Sequence, residues 1–124
     1  MTRKQAIKRA IKHWEENVDK LTGNIGKKFH LNNESDNGII IGRVHVYFDR
    51  DHCSLCEAYC DPDGNCCWDN KHDLPCPLIG CDHGSLWWKF IEALDDQLYV
   101  KDKKVDNNMI TKAQVILDRL RRAT

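Results

Sequence analysis

Seven cysteines lie between Cys53 and Cys81, and the rest of the 124-residue chain has none. They read Cys53-Ser54-Leu55-Cys56, then Cys60, the neighbours Cys66 and Cys67, and finally Cys76-Pro77-Leu78-Ile79-Gly80-Cys81. A Cys-x-x-Cys pair presents two thiolates from one tight turn, and a tetrahedral zinc ion takes four such donors at about 2.3 Å. The expected ligands are Cys53 and Cys56 with Cys76 and Cys81, holding a structural Zn²⁺. Cys60, Cys66 and Cys67 are alternates, with at most one of the adjacent pair on one ion because successive side chains diverge. His52 and His83 flank the proposed ligands, and each is an alternate fourth ligand or a hydrogen-bonding group behind one. A single ion is the expectation, although seven thiols with His52, His72 and His83 would suffice for two.

A thiolate-rich set is the structural type of zinc site; a catalytic zinc keeps an open position and draws more on His and carboxylate. No phosphate-cradling glycine loop, His-Glu-x-x-His or nucleophile-elbow serine occurs in the chain. His13-Trp14-Glu15 matches the first tripeptide of the zinc deaminases. Pro75-Cys76 begins their second motif, but Ile79 stands where its other cysteine is required. Asp61-x-Asp63-Gly64 opens like a calcium loop and lacks the distal bidentate Glu. No catalytic residue is assigned, and a non-enzyme is expected.

Charge is segregated although the formal net charge is zero. Residues 1–28 hold eight basic and three acidic side chains, and residues 97–124 hold seven and three. Residues 49–84 reverse this, with two basic and eight acidic. Four thiolates on one Zn²⁺ would add two further negative charges there. The cysteine segment is therefore a poor grip for phosphates. Its carboxylates Asp61, Asp63 and Asp69 are expected to face a basic protein partner, with Trp88 as an apolar anchor or as a cover for the metal. The basic ends either fold back on the acidic centre or, as a second reading, place Arg3, Lys4, Arg9, Arg121 and Arg122 on nucleic-acid phosphates.

The composition is that of a globular chain, 41% hydrophobic and 31% charged. No apolar run approaches membrane-spanning length, and the start lacks the apolar core of a secretory signal. A cytoplasmic setting, in which thiols stay reduced, favours metal over disulfides, and the odd cysteine count leaves any disulfide set incomplete.

The elements that would position these groups follow from periodicity. Ile7, Ile11, Trp14, Val18 and Leu21 form a helical stripe over residues 3–21. Thr2-x-x-Gln5 is a capping box before it, and Gly23 and Gly26 end it. Its basic residues come first and its acidic ones last, against the helix dipole. Residues 27–48 read as a β-hairpin. Phe29 and Leu31 form one arm and Asn32 to Gly38 a polar loop. Ile39-Ile40-Ile41 continues into Val44-x-Val46-x-Phe48, with Gly42 as a bulge. Residues 49–84, the proposed zinc loop, are polar and turn-rich, as in Asp61-Pro62-Asp63-Gly64-Asn65, and need the metal for order. Ser85 caps a second helix with Trp87, Phe90, Ile91 and Leu94 on one face and Trp88 about 100° away. Leu98-Tyr99-Val100 reads as a brief strand, followed by a charged loop, Lys101 to Asn108. Thr111-x-x-Gln114, with Ile110 and Val115 as a staple, predicts the start of a last helix. Ala113, Ile116, Leu117 and Leu120 form its apolar face.

Cys53-Ser54-Leu55-Cys56, Cys76-Pro77-Leu78, Cys81, the aromatic helix from Leu86 and the final Ile116-Leu117-x-x-Leu120 resemble a loose group of uncharacterised small cysteine-rich phage and prophage proteins. The resemblance spans roughly residues 53–120. In that group the Cys-Pro ends a second Cys-x-x-Cys, whereas position 73 here is Asp. The resemblance implies zinc binding and a phage context, and brings no activity with it. The expected fold is a small single α+β domain, residues 1–124. It comprises an N-terminal helix (1–22), a hairpin (27–48), the zinc loop (49–84) and C-terminal helices (85–124). The expected role is a non-enzymatic interaction protein that binds and inhibits a host protein, such as a defence factor, in the host cytoplasm. A small zinc-containing nucleic-acid-binding or regulatory protein is the alternative.

Overall fold

A computed structural model describes residues 2–32, 38–48 and 86–122. Helix α1 spans Arg3–Thr22 and opens with the expected capping box. Gln5 N donates to Thr2 Oγ1, and Thr2 N to Gln5 Oε1, each at 3.1 Å. Gly23 caps the other end in the right-handed region, and the left-handed turn falls at Gly26. The buried face is rotated from the expected stripe. Ile7, Trp14 and Leu21 of the expected stripe are buried with Ala6, Ala10 and Asn17, whereas Ile11 and Val18 are half-buried at its edge. Alanines let a helix approach its neighbour closely, and α1 packs on the last helix and on the third strand.

The strands are β1 (His30–Leu31), β2 (Gly38–Ile41) and β3 (Val44–Tyr47), antiparallel in that order. Gly42 is not a bulge in one long strand. Ile41 pairs with Val44, so Gly42 and Arg43 form a two-residue turn. Gly42 has φ 62° and Arg43 has no positive φ, the pattern of a II′ turn, which takes Gly first. The expected hairpin is thus a three-stranded meander. The polar loop joins its first two strands, and Asn33 to Asn37 lie outside the described residues.

Helix α2 spans Leu86–Tyr99, and its proposed cap, Ser85, lies outside the described residues. The strand expected at Leu98 to Val100 is the end of this helix. Leu98 extends the buried stripe of Trp87, Ile91 and Leu94, and Val100 N and Lys101 N both bond to Asp96 O as the helix stops. Helix α3, Asn107–Arg122, starts four residues before the expected box. Its cap is Asp106, whose Oδ1 accepts from Met109 N at 2.9 Å and whose Oδ2 accepts from Gln97 Nε2 at 2.6 Å. Gln97, buried in α2, also accepts from Lys104 N at 3.2 Å. A buried side-chain amide with both ends bonded sets the α2–α3 connection in a single shape. Gln114, expected to close a box, lies inside the helix and bonds Asp118.

Ala113, Ile116, Leu117 and Leu120 are buried as expected, joined by Met109. One apolar core takes side chains from α1, the sheet, α2 and α3. Across the α1–α3 seam Arg121 Nη2 lies 3.4 Å from Glu15 Oε1. Both side chains are about half exposed, so this pair adds little stability. It does give one late acidic residue of α1 a partner among the basic residues that end α3. Among the described residues no helix is long and apolar enough to cross a membrane.

Candidate functional site

Phe48 is the last described residue before the cysteine segment, and Leu86 is the first after it. Alternation along β3 turns Val46 and Phe48 inward, and both are buried. On α2 the helical period turns Trp87 and Phe90 toward the same core. The indole Nε1 of Trp87 donates to the backbone carbonyl of Phe48 at 2.8 Å, a buried bond. The Phe48 and Phe90 rings meet at 61° with centroids 5.3 Å apart, and Phe90 meets Trp14 of α1 edge-on, also at 5.3 Å. Edge-to-face pairs at this separation are favourable beyond the area they bury. Phe48 and Trp87, which flank residues 49–85, are therefore tied to one aromatic cluster drawn from α1, β3 and α2.

The strand that launches the segment is itself fastened. β3 is at the edge of the sheet, and α1 takes two of its carbonyls. Asn17 Nδ2 donates to Tyr47 O at 2.8 Å, and Lys20 Nζ to His45 O at 2.9 Å. The Asn17 amide nitrogen also lies 3.4 Å from His13 Nε2. Edge carbonyls occupied this way are closed to a further strand. Asn17, which interrupts the apolar face of α1, is explained by this contact.

Cys53, Cys56, Cys60, Cys66, Cys67, Cys76 and Cys81 lie outside the described residues, as do His52, His83, Asp61, Asp63 and Asp69. Trp88 is half-buried against the core at the point where the segment returns, its ring 6.1 Å from that of Trp87. Among the described residues no three His, Cys, Asp or Glu side chains converge. His45 stacks on Tyr47, and Glu15 of the deaminase-like tripeptide is turned to Arg121. Of the basic residues proposed for phosphates, Lys4, Arg9 and Arg122 are exposed on helix surfaces, and Arg121 carries the Glu15 contact. No family model, curated protein or solved structure matches the chain.

Sequence reasoning missed the clamp of Phe48 and Trp87. Alternation marks Phe48 as inward and helical period marks Trp87, but nothing local pairs them. It also counted Lys27, Lys28, Lys101, Lys103 and Lys104 only as part of the basic ends. The signal was two lysine runs, Gly26-Lys27-Lys28 and Lys101-x-Lys103-Lys104, and the fold sets them against each other.

Proposed function

We propose that this chain is a zinc-organised, non-enzymatic interaction protein that presents the acidic segment 49–84 to a basic surface of a host protein and inhibits it, in a phage context. The observation that carries the reading is the confinement of all seven cysteines to a segment whose two flanks are clamped by the Trp87–Phe48 bond. A clamped base shortens the conformational search needed to bring Cys53 and Cys56 toward Cys76 and Cys81. Zinc then orders a stretch that has few apolar groups to bury. The carboxylates between the ligand pairs are left to act on a partner through charge.

Two measurements test this. Protein purified without added metal should carry zinc at one ion per chain. Intact thiols with only trace zinc would overturn the metal reading. Replacing Asp61, Asp63 and Asp69 together by Lys should weaken binding of the host protein and leave the fold intact. The loss should be larger at low ionic strength, because exposed charges act mainly on association rate and are screened by salt. Nucleic acid as the partner would give the opposite sign, since the change removes repulsion from phosphates. Unchanged binding at both salt concentrations would remove both readings of the charge segregation.

A further inference from the structure

Residues 26–29 and 103–105 pair as a short antiparallel ribbon. Gly26 N donates to Val105 O at 2.8 Å, Val105 N to Lys27 O at 3.0 Å and Phe29 N to Lys103 O at 2.9 Å. Lys28 stands directly opposite Lys104. The bonds run between the residues on either side of this pair, so it is of the non-hydrogen-bonded kind, in which facing side chains come closest. Phe29 and Val105 are buried, which leaves the other face of the ribbon outward, and Lys28 and Lys104 are exposed on it. Lys27, Lys101 and Lys103 are exposed beside them.

Like charges directly opposed across a ladder are destabilising. Among the described residues none of these five amino groups lies in a salt bridge. Of the carboxylates in the α2–α3 connection, Asp106 is occupied by Gln97 and the α3 cap, which leaves Asp102 exposed among five lysines. Lys103 has φ 57°, a left-handed backbone position that a Gly or Asn would occupy with less strain. The sequence therefore carries lysines at Lys28 and Lys104, where charge repulsion disfavours them, and at Lys103, where backbone geometry does.

Large apolar side chains stand exposed at the start of both lysine runs. Ile25, half exposed, precedes Gly26-Lys27-Lys28, and Tyr99 at 73% and Val100 at 78% exposure precede Lys101. Lysine-rich surfaces are depleted from protein–protein interfaces, whereas point charges on flexible stems suit phosphates that are contacted without regard to sequence. An exposed tyrosine beside such charges offers a stacking face, which the bases of a single strand can reach and those of a duplex cannot. We infer that the lysine ribbon of residues 26–29 and 101–105, with Tyr99, is a binding surface for single-stranded nucleic acid, phosphates on the lysines and a base on the tyrosine.

The test is fluorescence anisotropy with the full chain and a labelled oligothymidylate of about 16 nucleotides. With five phosphate contacts on a single strand, affinity should fall about 100-fold between about 50 mM and about 200 mM salt. Lys28→Gln with Lys104→Gln should weaken binding at low salt and reduce that fall to about 20-fold. The same double variant should unfold at a temperature no lower than the parent protein, because a repulsion has been removed, so lost binding is not lost fold. Tyr99→Ala should weaken oligothymidylate binding about 5-fold or more at an unchanged salt slope. Lys8→Gln with Lys12→Gln, exposed on α1, should leave affinity within about twofold, the scatter of separated surface changes. Any of four results overturns the inference. These are no binding at low salt, an unchanged slope in the Lys28/Lys104 variant, a larger loss in the Lys8/Lys12 variant, or equal binding of polyglutamate with no effect of Tyr99→Ala. The last would mark the ribbon as a surface for acidic protein.

Discussion

If residues 49–84 hold the proposed zinc, chelation should raise amide hydrogen exchange across them by orders of magnitude and leave helix α1 as protected as before. The expectation rests on where apolar contacts are. α1, the sheet, α2 and α3 share a core that includes Trp14, Phe48, Phe90 and Leu120. The segment itself is polar, and structural zinc in small domains contributes about 10–16 kcal/mol of apparent folding free energy, as much as a whole domain's net stability of about 5–15 kcal/mol. Closing a loop of this length freely costs about 3 kcal/mol by chain entropy, a term the Phe48–Trp87 clamp already carries in the folded protein. Metal loss should therefore open the segment locally without unfolding the rest. Exchange mass spectrometry on metal-loaded and metal-free protein reads this directly. Equal protection of residues 49–84 in the two forms would show that any bound metal is incidental to their order.

Phe90→Ala should cost about 3–5 kcal/mol, the range for deleting a buried aromatic ring. Phe90 is fully buried, and it is the ring that both Trp14 and Phe48 touch. Its removal leaves a cavity at the junction of α1, β3 and α2, and loosens the clamp at the base of the cysteine segment. In urea the unfolding midpoint should drop by about 2–3 M, if the denaturant slope is near about 1.5 kcal/mol/M. Phe90→Leu, which keeps most of the volume, should cost clearly less. Tyr99→Ala, on the exposed end of α2, should change stability by no more than about 0.5 kcal/mol. A loss below about 1 kcal/mol for Phe90→Ala would show that the cluster is not what joins these three elements.

The positions where the sequence reading and the structure part company share a cause. In sequence Gly42 reads as a bulge because Ile39 to Phe48 is nearly continuous in β-forming residues, and only the Ile41–Val44 pairing shows that the chain reverses there. Leu98 looked like strand because Leu-Tyr-Val favours it locally, yet Leu98 completes a buried helical stripe, and burial outweighs a propensity difference of a few tenths of a kcal/mol. A Thr-x-x-Gln box at Thr111 is a strong local signal for the start of α3. Asp106 caps instead, because its carboxylate is already held by Gln97 of α2, nine residues earlier in the chain.

The sequence by itself determined what depends on neighbours within a turn or two. The Thr2–Gln5 box, the apolar faces of α2 and α3, the inward direction of Phe48 and the thiolate spacing at Cys53 and Cys56 all belong there. Backbone period and side-chain type carry that information, and no distant residue is needed to read it. Only the tertiary structure decided which of these pieces meet. Phe48 and Trp87 come together across 39 residues, and Arg121 reaches Glu15 across 106. Lys28 faces Lys104 even though like charges repel, because Phe29 and Val105 on the other side of the same ribbon are drawn into the core. Each of these pairings is the outcome of burying one shared core, a free energy summed over all the elements at once, and no single segment carries a record of that sum.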